Sequence, residues 1–181
     1  MRVVAGKLRH RNIDMTNLET TRETQDKVRG AIFNMIGPYF DGGRALDLFA
    51  GSGAMAIEAY SRGITEIDMN DIEPKAIEVC KKNCQSLHID RAHFTSLDYK
   101  AFLAETRIKW NLIFLDPPYR MNAIEDILKD VYPHLEKKGR IVFEFAKESI
   151  YPEEYETLVA IKDKTYGIKR VVIYQERSLH K

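Results

Sequence analysis

The feature that most limits what this chain can become is a glycine loop at the end of a short apolar strand. Ala45–Phe49 reads as a strand, Ala50-Gly51-Ser52-Gly53 follows it, and a helical pattern opens at Ala54. Glycines let the backbone turn sharply and let a ligand lie against it. A helix that starts there points its free N–H groups at the same ligand. A strand, a glycine turn and a helix in that order predict an α/β fold with a nucleotide-type cofactor at the turn. The turn has other readings. Gly51-Ser52-Gly53-Ala54-Met55-Ala56 also fits the dinucleotide fingerprint, and a tight turn needs no ligand at all.

The chain beyond the loop keeps the alternation. Strands are predicted at Glu66–Asn70, Ala92–Thr95, Leu112–Leu115 and Arg140–Phe145, with helices near Ala54–Arg62, Pro74–Leu87, Tyr99–Thr106 and Asn122–Leu135. Apolar strands separated by amphipathic helices imply a mostly parallel sheet covered on both faces. The end differs: Thr157–Lys164 and Lys169–Gln175 flank Tyr166-Gly167 and predict an antiparallel hairpin. A seven-stranded methyltransferase sheet ends in this way, and a dinucleotide fold usually does not. The first 40 residues are distinct. Arg2–Ala5 and Asn12–Met15 predict a short hairpin. A helix capped by Thr21 or Thr24 runs to about Met35, where Gly37-Pro38 stops it. The expected division is therefore residues 1–40 and 41–181.

Acids at strand ends refine the cofactor reading. Asp71, eighteen residues past Gly53 at the end of the second predicted strand, can accept both hydroxyls of a ribose. Glu73 competes for that role, although a carboxylate there also suits the first turn of the next helix. Asp98 either meets an adenine amine or caps the helix that follows it. Asp47, at the loop entrance, would repel a pyrophosphate but suits a cationic amino group. That favours S-adenosylmethionine.

The chemistry is written in Asn111-Leu112-Ile113-Phe114-Leu115-Asp116-Pro117-Pro118-Tyr119. The strand delivers this loop to the carboxyl end of the sheet, where open α/β folds bind ligands. Two prolines stiffen it and remove two N–H donors. What remains is a pair of acceptors, the Asp116 carboxylate and the Pro117 carbonyl, matched to the two hydrogens of an –NH2 group. Tyr119 offers a ring on which a base can stack. A base amine is a poor nucleophile because its lone pair is delocalised into the ring. Acceptors placed out of the ring plane draw the nitrogen toward tetrahedral geometry and aim the lone pair at a methyl donor, so positioning and electrostatics supply most of the catalysis.

These motifs resemble the class I enzymes that methylate base amines in DNA and RNA. The N-terminal third narrows the resemblance. Arg2-Val3-Val4-Ala5-Gly6-Lys7, Arg22-Glu23-Thr24-Gln25-Asp26-Lys27-Val28-Arg29 and Ala31-Ile32-Phe33-Asn34 are similar to the RsmD-type bacterial 16S rRNA guanine-N2 methyltransferases, as is the closing Ile173-Tyr174-Gln175. The chain departs from the family's helix-entry motif at Glu23 and Gly30, where proline and glutamate are usual. The resemblance implies a class I, Rossmann-like methyltransferase fold and a monomer acting on one guanine N2 of 16S rRNA, within an assembling 30S particle. It places cofactor contacts at Asp47, Gly51, Gly53 and Asp71, and base contacts at Asp116, Pro117 and Tyr119. A DNA adenine-N6 or cytosine-N4 enzyme shares the chemistry, but no extra DNA-specificity domain is evident. A nicotinamide-dependent oxidoreductase would leave Asp116–Tyr119 unexplained, and an assembly factor without activity would not need Asp116.

Net charge is only +1, yet Arg2, Lys7, Arg9 and Arg11 stand within eleven residues that contain no acid. Such clustering points to an anionic partner better than the total does. Arg22 and Arg29 either bind RNA or pair with nearby acids. Cys80, Cys84 and His88 share one helical spacing but have no fourth ligand, so a buried helix face is expected and no metal. Unpaired cysteines and the absence of a signal peptide or of a long apolar run predict a cytoplasmic protein outside any membrane.

Overall fold

A computed structural model describes residues 1–16 and 26–177. An eight-stranded sheet runs through the centre: β1 Arg44–Asp47, β2 Glu66–Asn70, β3 Ala92–Thr95, β4 Trp110–Leu115, β5 Leu135–Ala146, β6 Glu154–Tyr155, β7 Leu158–Tyr166 and β8 Lys169–Glu176. Their spatial order is β3-β2-β1-β4-β5-β8-β7-β6. The first five pair in parallel, and β8, β7 and β6 join antiparallel. The strand order reverses between β1 and β4, so their carboxyl ends open a crevice. The helices are α1 Asp26–Ile36, α2 Ala54–Ser61, α3 Pro74–Ser86, α4 Tyr99–Glu105 and α5 Ile124–Val131.

The sheet has eight strands where seven were expected. The extra one, β6, is only two residues, held by a tight return from Glu154–Tyr155 to Leu158–Val159. Two residues are too few for alternation to register. The last predicted helix is also shorter, because Tyr119–Met121 and Tyr132–His134 wind as 3₁₀ turns around α5. Pro133 in the second turn has no N–H to continue an α-helix.

Two apolar layers sandwich the sheet. One joins Ile57, Ile67, Phe114 and Val142 to Val3, Ile13, Ile32 and Phe33 of the N-terminal segment. The other joins Leu48, Ile113, Phe143 and Tyr174 to Phe102, Trp110 and Leu128. The described part of residues 1–40 therefore packs into the same core as the sheet. An antiparallel bridge between Arg2 and Asn12 closes the expected N-terminal hairpin.

That segment is fastened to α2 by a buried ionic knot. Glu58 accepts from Val4 N–H and Arg29 Nε on one oxygen, and from Ala5 N–H and Arg62 Nε on the other, at 2.8–3.2 Å. Glu58 and Arg29 are fully buried. One turn on, the Ser61 hydroxyl accepts from Leu8 N–H and donates to the Ala5 carbonyl. A Cβ on Gly6 would stand 2.0 Å from the Ser61 carbonyl oxygen, so only glycine lets the strap lie this close.

Candidate active site

Every acid singled out in the sequence lies at or beyond the carboxyl end of a parallel strand, but the acids differ in what they hold. Asp71 accepts from Gly51 N–H and Glu73 N–H, each at 2.9 Å, and so braces the glycine loop against the end of β2. Burial pushes its carboxyl up from the ordinary aspartate range despite those two bonds. Asp98 caps α4, accepting from Lys100 N–H at 3.0 Å, and also faces the cleft, so both of its expected roles are compatible. Asn70 ties strand ends together: its amide donates to the Leu48 and Leu97 carbonyls and its oxygen accepts from the Thr95 hydroxyl and from Leu97 N–H.

The cleft encloses about 670 Å³, part of it open to solvent. Phe49, Asp71, Glu73, Asp98, Asp116 and Pro118 are among its walls. Asp71, one of those walls, ties the glycine loop to the cleft through Gly51 N–H. Gly53 enters α2 at φ +83°, and a Cβ there would stand 2.9 Å from Met69 Sδ and 3.2 Å from Cys80 Sγ. The missing side chain thus lets this cradle pack down onto Met69 of β2 and Cys80 of α3. Asp47 is buried, accepts from Ala56 N–H in the first turn of α2, and keeps Oδ2 without a hydrogen-bond partner. Burial pushes its carboxyl well above the usual range, and the neighbouring Asp116, Glu144 and Asp71 charges add to the rise. A buried acceptor in a ring of acids is a costly arrangement that a cationic ligand relieves. The residues present therefore fit S-adenosylmethionine: acids for its amino-acid end and ribose, and bare glycine backbone beside them.

The Asp116-Pro117-Pro118-Tyr119 loop stands at the cleft. Asp116 and Pro118 line it, whereas Tyr119 and Pro117 border a smaller adjoining hollow with Phe145 and Asn122. A residue that sequence reasoning missed sits behind the loop. Lys169, at the start of β8, donates to both Asp116 oxygens at 2.8 and 3.0 Å and stands 3.6 Å from Glu144. Burial works against its charge, but Glu144 and Asp116 outweigh it and raise the ammonium above the ordinary lysine range. A lysine opening an exposed-looking strand gives no sequence signal for this. Only the antiparallel pairing of β8 with β5, which sets Lys169 against Ala146, brings it to the end of β4.

The basic residues divide. Arg2, Lys7, Arg9 and Arg11 are exposed on the N-terminal hairpin, with Lys7 over the Tyr60 ring at 3.9 Å and Arg11 donating to the Ser86 carbonyl at 3.2 Å. Arg29 corrects an expectation. Its guanidinium is fully buried and bonded to Glu58, Asp26 and the Arg2 carbonyl, so no phosphate can reach it. Arg22 and the Thr21 and Thr24 caps lie outside the described residues. Cys80 and Cys84 are buried on α3, with Cys80 Sγ 3.1 Å from the Gly51 carbonyl oxygen, while His88 lies past the helix at φ +56° and faces outward. Among the described residues no group of three potential ligands could hold a metal. No described helix is long and apolar enough to cross a membrane.

Comparison with known proteins places this geometry among relatives. A family model described as Conserved hypothetical protein 95 matches residues 1–175. YlbH of Bacillus subtilis, a candidate rRNA methyltransferase by its name, is 42% identical over 98% of this chain and 100% of its own length. Ribosomal RNA small subunit methyltransferase D of Haemophilus influenzae is 31% identical over 97% of this chain and 93% of its own. The solved structure of yhhF from Escherichia coli, described as a candidate methyltransferase, superposes with a TM-score of 0.86 at 26% identity and covers 97% of both chains.

Proposed function

The chain belongs to the conserved hypothetical protein 95 family, the RsmD-type methyltransferases, and from that membership we propose that it methylates a guanine N2 of small-subunit rRNA with S-adenosylmethionine as donor. One observation carries the reading: Asp116, in a stiff proline loop with a second acceptor at Pro117, lines the same cleft as Asp71, which braces the glycine loop.

The chain's own residues divide the work. Asp47 and the bare backbone at Gly51 and Gly53 would hold the amino-acid end of S-adenosylmethionine, and Asp71 or Glu73 the ribose. Asp98 stands where an adenine amine can be met. When bound, that cofactor supplies an electrophilic methyl group on a sulfonium. The acid-rich surroundings stabilise such a cation through the field of fixed charges. The Asp116 carboxylate and the Pro117 carbonyl take the two amine hydrogens and turn the nitrogen lone pair toward the donor. Stacking on Tyr119 is worth roughly 1–3 kcal/mol and offsets much of the few kcal/mol needed to extrude a base. The proton shed by the methylated amine passes to Asp116 or to water. On this reading the N-terminal hairpin, through Arg2, Lys7, Arg9 and Arg11, grips phosphates of an rRNA within an assembling 30S particle, and the enzyme works as a monomer in the cytoplasm.

The test is labelled methyl transfer onto unmodified rRNA and 30S particles, followed by nucleoside analysis. N2-methylguanine is the expected product. Methyladenine or methylcytosine would overturn the base assignment, and no incorporation on either substrate would overturn the rRNA reading. Asp116→Ala should abolish incorporation and leave cofactor binding largely intact; a fully active variant would refute the role given to Asp116.

A further inference from the structure

We propose that Lys169 is a positioning residue that keeps Asp116 ionised, and thereby sets the pH below which the Asp116 and Pro117 pair weakens its hold on an amine. The inference rests on the reading of Asp116 as an acceptor for the base amine. An ionised carboxylate only accepts hydrogen bonds; a protonated one presents an O–H donor toward the amine hydrogens it is meant to receive. Asp116 therefore accepts on both oxygens, and with the pull of a full negative charge, only while it is ionised.

Its surroundings oppose that charge. Asp47 at the end of β1 and Glu144 on β5 are buried acids, and the charges of Asp116, Glu144 and Asp71 all act on Asp47. The Asp116 side chain is 11% exposed. Burial and like charges both raise a carboxyl's pKa. Against them stands the Lys169 ammonium, with the Arg120 guanidinium in the wall of the same cleft. Lys169 Nζ reaches both Asp116 oxygens at 2.8 and 3.0 Å, and its own side chain is 15% exposed. Glu144 at 3.6 Å shares the same ammonium, and Tyr119 from the loop also faces it. Glu144 lies diagonally across the β5–β8 ladder from Lys169, a spacing that long side chains bridge. Lys169 thus joins the loop to the strand behind it and brings a positive charge into contact with Asp116 and Glu144. It also occupies one side of the carboxylate, which fixes the direction in which the remaining lone pairs point.

The measurement is the Asp116 carboxyl titration, followed by carbon-13 NMR in the intact ligand-free protein. An opposite charge at this distance moves a carboxyl by about 1–3 pH units. Lys169→Met should raise the Asp116 midpoint by that amount, and Lys169→Arg should leave it near the wild-type position. A midpoint unchanged in Lys169→Met overturns the proposal, as does an equal rise in Lys169→Arg. If Lys169→Met does not fold, Lys169→Gln carries the same test, because it keeps a polar hydrogen-bond donor on a slightly shorter side chain and removes the charge. In methyl transfer onto unmodified rRNA, the acidic limb of the rate profile should rise by the same interval. A wild-type protein that transfers no methyl group would refute the rRNA reading, while the NMR titration would still decide the role of Lys169.

Discussion

Replacing Glu58 by glutamine tests how the N-terminal strap is held. The carboxylate accepts four hydrogen bonds, two on each oxygen, from Val4 N–H, Ala5 N–H, Arg29 and Arg62. A glutamine has one oxygen and one NH2 group. Whichever way the amide turns, one backbone N–H and one guanidinium lose their acceptor and face a donor. An orphaned buried donor costs about 1–3 kcal/mol, more when charged, and breaking a buried ion pair on one side costs about 3–5 kcal/mol. The expected loss for Glu58→Gln is therefore about 3–5 kcal/mol. Trp110 is the chain's single tryptophan, fully buried with Nε1 donating to Asp68 at 2.7 Å, so its fluorescence reports unfolding. Urea titration of both proteins should give transitions of similar steepness and a lower midpoint for the variant. A loss below about 1 kcal/mol would show that the knot is solvated, and that the burial of Arg29 and Glu58 contributes little.

Three further outcomes follow from the site. Gly53→Ala forces a side chain into left-handed backbone against Met69 and Cys80, and should cost about 2–4 kcal/mol from the φ penalty and overpacking together; calorimetric titration with S-adenosylmethionine should show weakened binding, and normal affinity and stability would contradict the cradle. Asp47→Asn should stabilise the ligand-free chain while weakening cofactor binding. Burial raises the Asp47 carboxyl in the folded state, so wild-type stability falls as pH climbs from the ordinary aspartate range of about 4 toward the raised value; the variant's advantage should be absent at low pH and grow toward neutrality, and a pH-independent difference would count against it. Substituting Arg9 and Arg11 together should weaken rRNA binding and flatten its log–log salt slope by about 1.5; an unchanged slope would remove them from the phosphate grip.

Much of the site was legible because its parts are local. Gly51, Gly53 and Asp71 belong to one strand–turn–helix–strand unit whose spacing is fixed, and Asp116–Tyr119 is a continuous loop. What stayed hidden depends on partners distant in sequence. Glu58 and Arg62 have the i,i+4 spacing that solvated ion pairs on helices also have. They are buried because residues 1–13 cover the face of α2 turned away from the sheet, and no pattern within the helix reports that cover. Arg29 read as a candidate RNA contact for the same reason. Lys169 needed the β5–β8 register, since fifty-three residues separate it from Asp116. Charged residues are the ones whose environment sequence periodicity predicts worst, because a solvated face and a buried pair share the same letters.

Helix α2 has a consequence beyond stability. Its first turn abuts the glycine loop and its last turn is bolted to the basic hairpin through Glu58 and Ser61. Eight helical residues span about 12 Å and barely stretch. If the hairpin grips phosphates as proposed, the helix is a ruler: it fixes how far along a polynucleotide the reacting nucleotide lies from them, whatever the outer loops do.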